Sequence, residues 1–176
     1  MKMDRREEII KILREADTPM TASSLAAHFD VTRQVIVGDV SILRAAGHEI
    51  IATSRGYMLG SEDFSDAAGR FRFVGMVACC HTSQQLIDEL YTIVDNGATV
   101  IDVTIEHAIY GELSGKLDLS SRYDVDQFIQ KVKEEKNSTP ISTLTGGIHL
   151  HRIGCRDKAT FERISKALDE QGILIK

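Results

Sequence analysis

Thr21 and Thr32 constrain the first third of this chain more tightly than any other feature. Each stands directly before a stretch whose apolar residues recur at helical spacing, and a threonine hydroxyl in that place accepts a hydrogen bond from the open amides of a first helical turn. Between those stretches Phe29-Asp30-Val31 leaves room only for a tight turn. Ahead of Thr21, Ile9, Ile10, Ile12, Leu13 and Ala16 mark a helix from Arg5 to Ala16 that Asp17-Thr18-Pro19 ends. The stretch after Thr21 offers Leu25 and Ala26 as its buried face, with His28 near its end. The stretch after Thr32 runs from Arg33 to Ala46, and Gly47 stops it. Two short helices across a turn of this length make a helix-turn-helix.

Glu49–Thr53 and Tyr57–Leu59 then form two extended runs around Ser54-Arg55-Gly56, a hairpin placed as a wing. The start Thr32-Arg33-Gln34 and the close Gly56-Tyr57-Met58-Leu59 resemble the winged helix-turn-helix of the biotin-operon-repressor type. On that resemblance Thr32 caps a recognition helix whose Arg33 and Gln34 carry the side chains that read guanine and adenine edges. Arg44 and the wing's Arg55 are then phosphate contacts, which position a protein on DNA without specifying sequence. Asp39 on the same helix works against a phosphate.

The charge balance bears on this reading. The chain carries 21 Lys and Arg against 26 Asp and Glu, a net charge of −5. The first 60 residues are neutral, so the second part holds the whole excess of acid. No part approaches the strongly basic character of an electrostatic nucleic-acid binder. DNA binding must come from a local arrangement of charges, repeated in a homodimer. No apolar run is long enough to span a bilayer and the chain start is charged, which points to a cytoplasmic protein with no membrane partner. Cys79, Cys80 and Cys155 are odd in number, and the first two are adjacent, so reduced thiols are expected rather than a secreted disulfide framework.

The composition divides the chain into a winged head over 1–60, a small acidic linker over 61–69 in which Phe64 is the one aromatic, and a second domain over 70–176. In that domain Arg70–Cys80, Ala98–Glu106, Leu113–Leu119 and the run through His149 read as strands. Thr82–Asn96, Tyr123–Lys136 and Asp157–Glu170 read as helices, and Ile173-Leu174-Ile175 as a short closing strand. This order predicts an α+β fold with a mixed sheet and helices on one face. In Gly146-Gly147-Ile148-His149-Leu150-His151, the period of an extended chain sends both imidazoles to one side and Leu150 to the other, into the core. A metal or an anionic ligand fits between two such histidines.

Three separated motifs now fall in order: His81-Thr82 with Glu89-Leu90, Asp102-Val103 with His107-Ala108-Ile109-Tyr110-Gly111, and Leu144-Thr145-Gly146-Gly147-Ile148-His149-Leu150-His151. They resemble the three-histidine domain. Joined to a winged helix, that is the layout of the nicotinic-acid-responsive transcription repressors, and the resemblance covers nearly the whole chain. Where the family usually has proline after the middle histidine, this chain has Ala108. The resemblance implies a repressor, not an enzyme, acting on operator DNA of NAD-biosynthesis or niacin-uptake genes. It further implies nicotinic acid as corepressor and a divalent transition metal held by His81, Glu89, His149 and His151. Imidazoles with a carboxylate suit zinc, nickel, iron or manganese alike. His107 and Tyr110 are the expected ligand-pocket residues, His107 serving equally well as a brace for the turn that follows it.

Helix geometry strains one pairing. Eight residues of continuous helix would hold His81 about 12 Å from Glu89 along the axis. The strain is relieved if His81 precedes the helix, with Thr82 as its cap; otherwise Asp88 is the better placed carboxylate. Arg152 is expected to face away from the two histidines. Two other functions use the same parts: a regulator for which the metal itself is the signal, and a metal-dependent hydrolase with Glu89 or Glu106 beside an activated water. The chain offers no nucleophile motif for the second.

Overall fold

A computed structural model describes residues 4–60 and 69–176. The expected linker falls almost wholly outside the described residues, Phe64 included. The chain divides into two compact units, Met1–Asp63 with Glu106–Leu113, and Phe64–Ile105 with Ser114–Lys176. No helix among the described residues is long and apolar enough to cross a membrane.

In the first unit, α1 (Arg5–Glu15) begins where the apolar spacing predicts, and α2 (Ala22–Phe29) and α3 (Arg33–Ala45) begin where the caps predict. Thr21 Oγ1 accepts from Ser24 N at 3.0 Å and Thr32 Oγ1 from Val35 N at 3.4 Å. Asp30 turns the chain between α2 and α3 in the left-handed conformation, φ 52°, which aspartate tolerates better than most residues. Ile9, Leu13, Leu25, Ile36, Val37, Val40 and Leu43 form the buried interior. β1 (Ile50–Thr53) and β2 (Gly56–Leu59) pair antiparallel as the wing. Met20 joins it from the far side through reciprocal 2.8 Å backbone bonds with Tyr57. Gly56 permits that approach, because a Cβ there would meet the Met20 carbonyl at 2.5 Å.

The second unit is a four-stranded sheet in the order β3 (Phe73–Cys80), β6 (Ile148–Cys155), β4 (Thr99–His107), β5 (Gly111–Leu119). Its helices are α4 (Leu86–Asp95), α5 (Arg122–Glu134) and α6 (Lys158–Glu170). β6 runs antiparallel to both of its neighbours, so the mixed sheet expected from the sequence is corrected at these pairings. The closing segment is a bridge from Leu174 to Cys79 rather than a full strand. One apolar cluster joins Val77, Cys79, Val100 and Ile153 of the sheet to Leu90, Ile93, Val125, Ile129, Ile164 and Leu168 of all three helices. The helices therefore cover one face, as the order of elements predicts.

Candidate functional site

The histidine-bearing strand obeys the predicted alternation, but its sides are reversed. His149 and His151 lie on the helix-covered face, each 2 % exposed, and Leu150 is on the opposite face, outside the apolar cluster. Each of these two buried rings finds a backbone partner at its Nδ1. His149 Nδ1 donates to the Gly147 carbonyl at 2.8 Å, and His151 Nδ1 to the Asp102 carbonyl at 2.7 Å.

The third imidazole comes from a corner. Thr82 starts a 3-10 turn, Ser83–Gln85, before α4 begins at Leu86, so Glu89 sits in the first turn of α4 and the path from His81 is bent. His81 Nδ1 donates to the Thr82 carbonyl at 2.8 Å, leaving its Nε2 2.7 Å from Glu89 Oε2. The strain foreseen for a continuous helix is absent, and Asp88 is exposed rather than turned inward. Gly147 makes the corner possible: at φ +95° its missing Cβ would lie 2.5 Å from the His81 carbonyl oxygen.

All three Nε2 atoms thus converge on one carboxylate. His149 Nε2 is 3.2 Å from Glu89 Oε1, and His151 Nε2 is 3.4 Å from Oε2 but makes no hydrogen bond among the described residues. The rings stand edge to face, with His149 4.8 Å from His81 and 4.9 Å from His151 between centroids. Glu89 is 0 % exposed. Burial acts to raise its carboxyl, but the surrounding imidazoles outweigh it and hold the group well below the usual carboxylate range. Burial likewise pulls His81 and His151 down, and Glu89 more than offsets it, so both are raised.

The sequence predicts Cys79 only as a reduced thiol. Its Sγ, a Glu89 oxygen and a His149 nitrogen all lie within 4.8 Å of one another. Burial, reinforced by Glu89, pushes this thiol well above its ordinary value. The strand parity that places it beside His149 is legible in the sequence, whereas the register pairing the two strands is not. A cavity of about 660 Å³ opens beside the histidines, lined by His149, His151, Val103, Phe128, Gln127 and Lys131 among others.

His107 and Tyr110 do not line that cavity. His107 Nδ1 accepts from Ile109 N at 3.2 Å, and its ring stacks on Tyr110 with centroids 5.0 Å apart, so it braces the turn. Arg152 faces away from the site, as expected, and ion-pairs with Asp102.

In the first unit the five residues assigned to DNA divide. Thr32 caps α3, Gln34 is exposed, and Arg55 is exposed at the wing tip. Arg33 is half-buried, 3.4 Å from Glu106. Arg44, expected at a phosphate, is instead 5 % exposed and ion-paired with Glu112 at 2.8 Å, so its charge is turned inward. Asp39 is no obstacle to a phosphate, being buried and bound to Arg5 at 2.6 Å.

The chain thus joins a winged helix-turn-helix unit to a sheet unit in which His149 and His151 of β6 and His81 of the corner face one buried glutamate. Residues 74–176 match the 3H domain and residues 5–58 an HTH domain. The chain is 38 % identical over 175 residues to the probable transcription repressor NiaR of Thermotoga maritima, covering 99 % of this chain and 95 % of that protein. It is 39 % identical over 178 residues to the transcription repressor NadR of Bacillus subtilis strain 168, covering 100 % of this chain and 96 % of that protein. The chain belongs to the 3H-domain family of transcription repressors, of the NadR and NiaR type, and these relatives are repressors rather than enzymes.

Proposed function

We propose that this protein represses NAD-biosynthesis or niacin-uptake genes as a homodimer on operator DNA. Nicotinic acid is its corepressor, bound beside a divalent transition metal at His81, Glu89, His149 and His151. The convergence of the three Nε2 atoms on Glu89 carries the reading. Each ring gives its Nδ1 proton to a backbone carbonyl, the second contact that a metal-binding histidine ordinarily makes, and this leaves the Nε2 lone pair free to bond an ion. Without an ion, an Nε2 facing the carboxylate needs a proton, and three charged imidazoles around one carboxylate would bury an excess of positive charge. The buried, unbonded Nε2 of His151 is the atom that such an ion would complete.

A dication there supplies a Lewis-acid contact for a carboxylate or a pyridine nitrogen. The chain's own residues provide the remainder: Val103 and Phe128 offer apolar contact to an aromatic ring, and Gln127 and Lys131 offer polar contact at the cavity wall. Ligand binding shifts DNA affinity only by the difference in its affinity for the DNA-competent and DNA-incompetent arrangements. In the competent dimer two recognition helices are spaced by one turn of B-DNA, about 34 Å.

Thermal unfolding of metal-loaded protein with nicotinic acid, nicotinamide or buffer, repeated after chelation, tests the reading. Nicotinic acid at 100 times its Kd should stabilise by about 2.7 kcal/mol, and chelation should abolish the gain. A loss on chelation with no response to either pyridine would identify a metal-responsive regulator instead.

A further inference from the structure

We propose that Cys79 is a further ligand of the same centre, bound through its thiolate. The inference rests on reading that centre as a metal site. The register pairs Cys79 with His149 and Val77 with His151 across β3 and β6, so the thiol and both imidazoles leave the sheet on the same face. Cys79 is 0 % exposed, and its Sγ, the Glu89 carboxylate and His149 lie within 4.8 Å of one another. An ion bonded at about 2.3 Å to sulfur and about 2.0–2.2 Å to nitrogen or oxygen brings two donors to at most about 4.5 Å. Small side-chain rotations close that gap. The second, independent observation is His151 Nε2, which is 2 % exposed as a residue, directed at Glu89 and unbonded.

The other two thiols do not compete. Cys80 leaves the opposite face of β3, where its Sγ is 4.0 Å from the Gly146 carbonyl. Cys155 pairs with Phe73 at the far end of the register. On coordination the Cys79 S–H bond breaks, its electron pair stays on sulfur and is donated to the ion, and the proton leaves to solvent. A sulfur donor tilts the centre towards zinc, nickel or cobalt and away from manganese or magnesium.

Cobalt(II), added to chelator-stripped full-length protein, reports each part separately. Binding at Glu89 and the histidines gives visible d–d bands, and a sulfur ligand adds a near-ultraviolet charge-transfer band that saturates with them. The expected result is both bands in the native protein and in Cys80→Ser and Cys155→Ser, and d–d bands alone in Cys79→Ser. Visible bands without the charge-transfer band in the native protein, or its survival in Cys79→Ser, overturn the role of Cys79 and leave the metal site standing. Absence of both bands overturns the metal site and the inference together. If Cys79→Ser does not fold, X-ray absorption of the zinc-loaded native protein decides: one sulfur scatterer at about 2.3 Å supports the ligand, and a shell of nitrogen and oxygen alone overturns it.

Discussion

His81 and Glu89 stand eight residues apart in the chain and 2.7 Å apart in space. The 3-10 turn at Ser83–Gln85 produces that closeness by bending the path, so the first turn of α4 delivers Glu89 beneath the corner. Substituting the carboxylate tests what it holds. Glu89→Gln is expected to weaken zinc affinity at least about tenfold by calorimetry. In metal-free protein it removes the charge partner of the raised histidines, and thermal melts should show a loss of about 3–5 kcal/mol.

Gly147→Ala tests the corner itself. The new Cβ would lie 2.5 Å from the His81 carbonyl oxygen, a rigid backbone atom, at a φ of +95° that alanine disfavours. A destabilisation of about 1–3 kcal/mol is expected in denaturant titrations, with displacement of the His81 ring resonances in NMR spectra. Unchanged His81 resonances would show that the corner does not depend on this glycine.

Glu106 gives the protein a pH dependence of its own. Burial lifts its carboxyl from 4.5 to about 7, despite the opposing charges of Arg33 and Arg44. Between those values the folded state keeps a proton that the unfolded chain has released, so this group's contribution to stability falls as pH rises from about 4.5 to about 7. The fall amounts to about 3 kcal/mol. Glu106→Gln should remove that slope and melt higher than the native protein at pH 8, a difference read by calorimetry at a series of pH values.

Arg55→Ala and Gln34→Ala separate positioning from reading at the wing and at α3. Both side chains are exposed. With DNA fragments selected by the protein, Arg55→Ala is expected to weaken binding evenly across sequences and reduce the salt slope by about one in fluorescence anisotropy. Gln34→Ala should leave the slope unchanged and relax preference at one position, at a cost of about 1–3 kcal/mol of discrimination. Arg44→Ala should leave the slope unchanged as well, since that guanidinium is buried against Glu112.

The caps at Thr21 and Thr32 are legible in the sequence because their physics is local: each accepts from an amide three residues on, and α2 and α3 start there. Long-range pairings were harder to see. The closing segment has the pattern of a strand and forms only a bridge, no local signal marks Met20 for its place beside the wing, and nothing in α3 points from Arg44 to Glu112. His107 shows the same limit in reverse: its local role as a brace was legible, and its exclusion from the cavity was not.

The sequence by itself determined the order of elements and the parity of His149, Leu150 and His151, because caps, turns and the two-residue period of a strand act over a few residues. Only the tertiary structure decided which side of the sheet those histidines take. Parity cannot distinguish the covered face from the other, and the choice went to the helix face because Glu89 and the carbonyls of Gly147 and Asp102 are there to satisfy buried imidazoles. The same packing selected Glu89 over Asp88. Its register placed Cys79 against His149, which no spacing along the chain could specify.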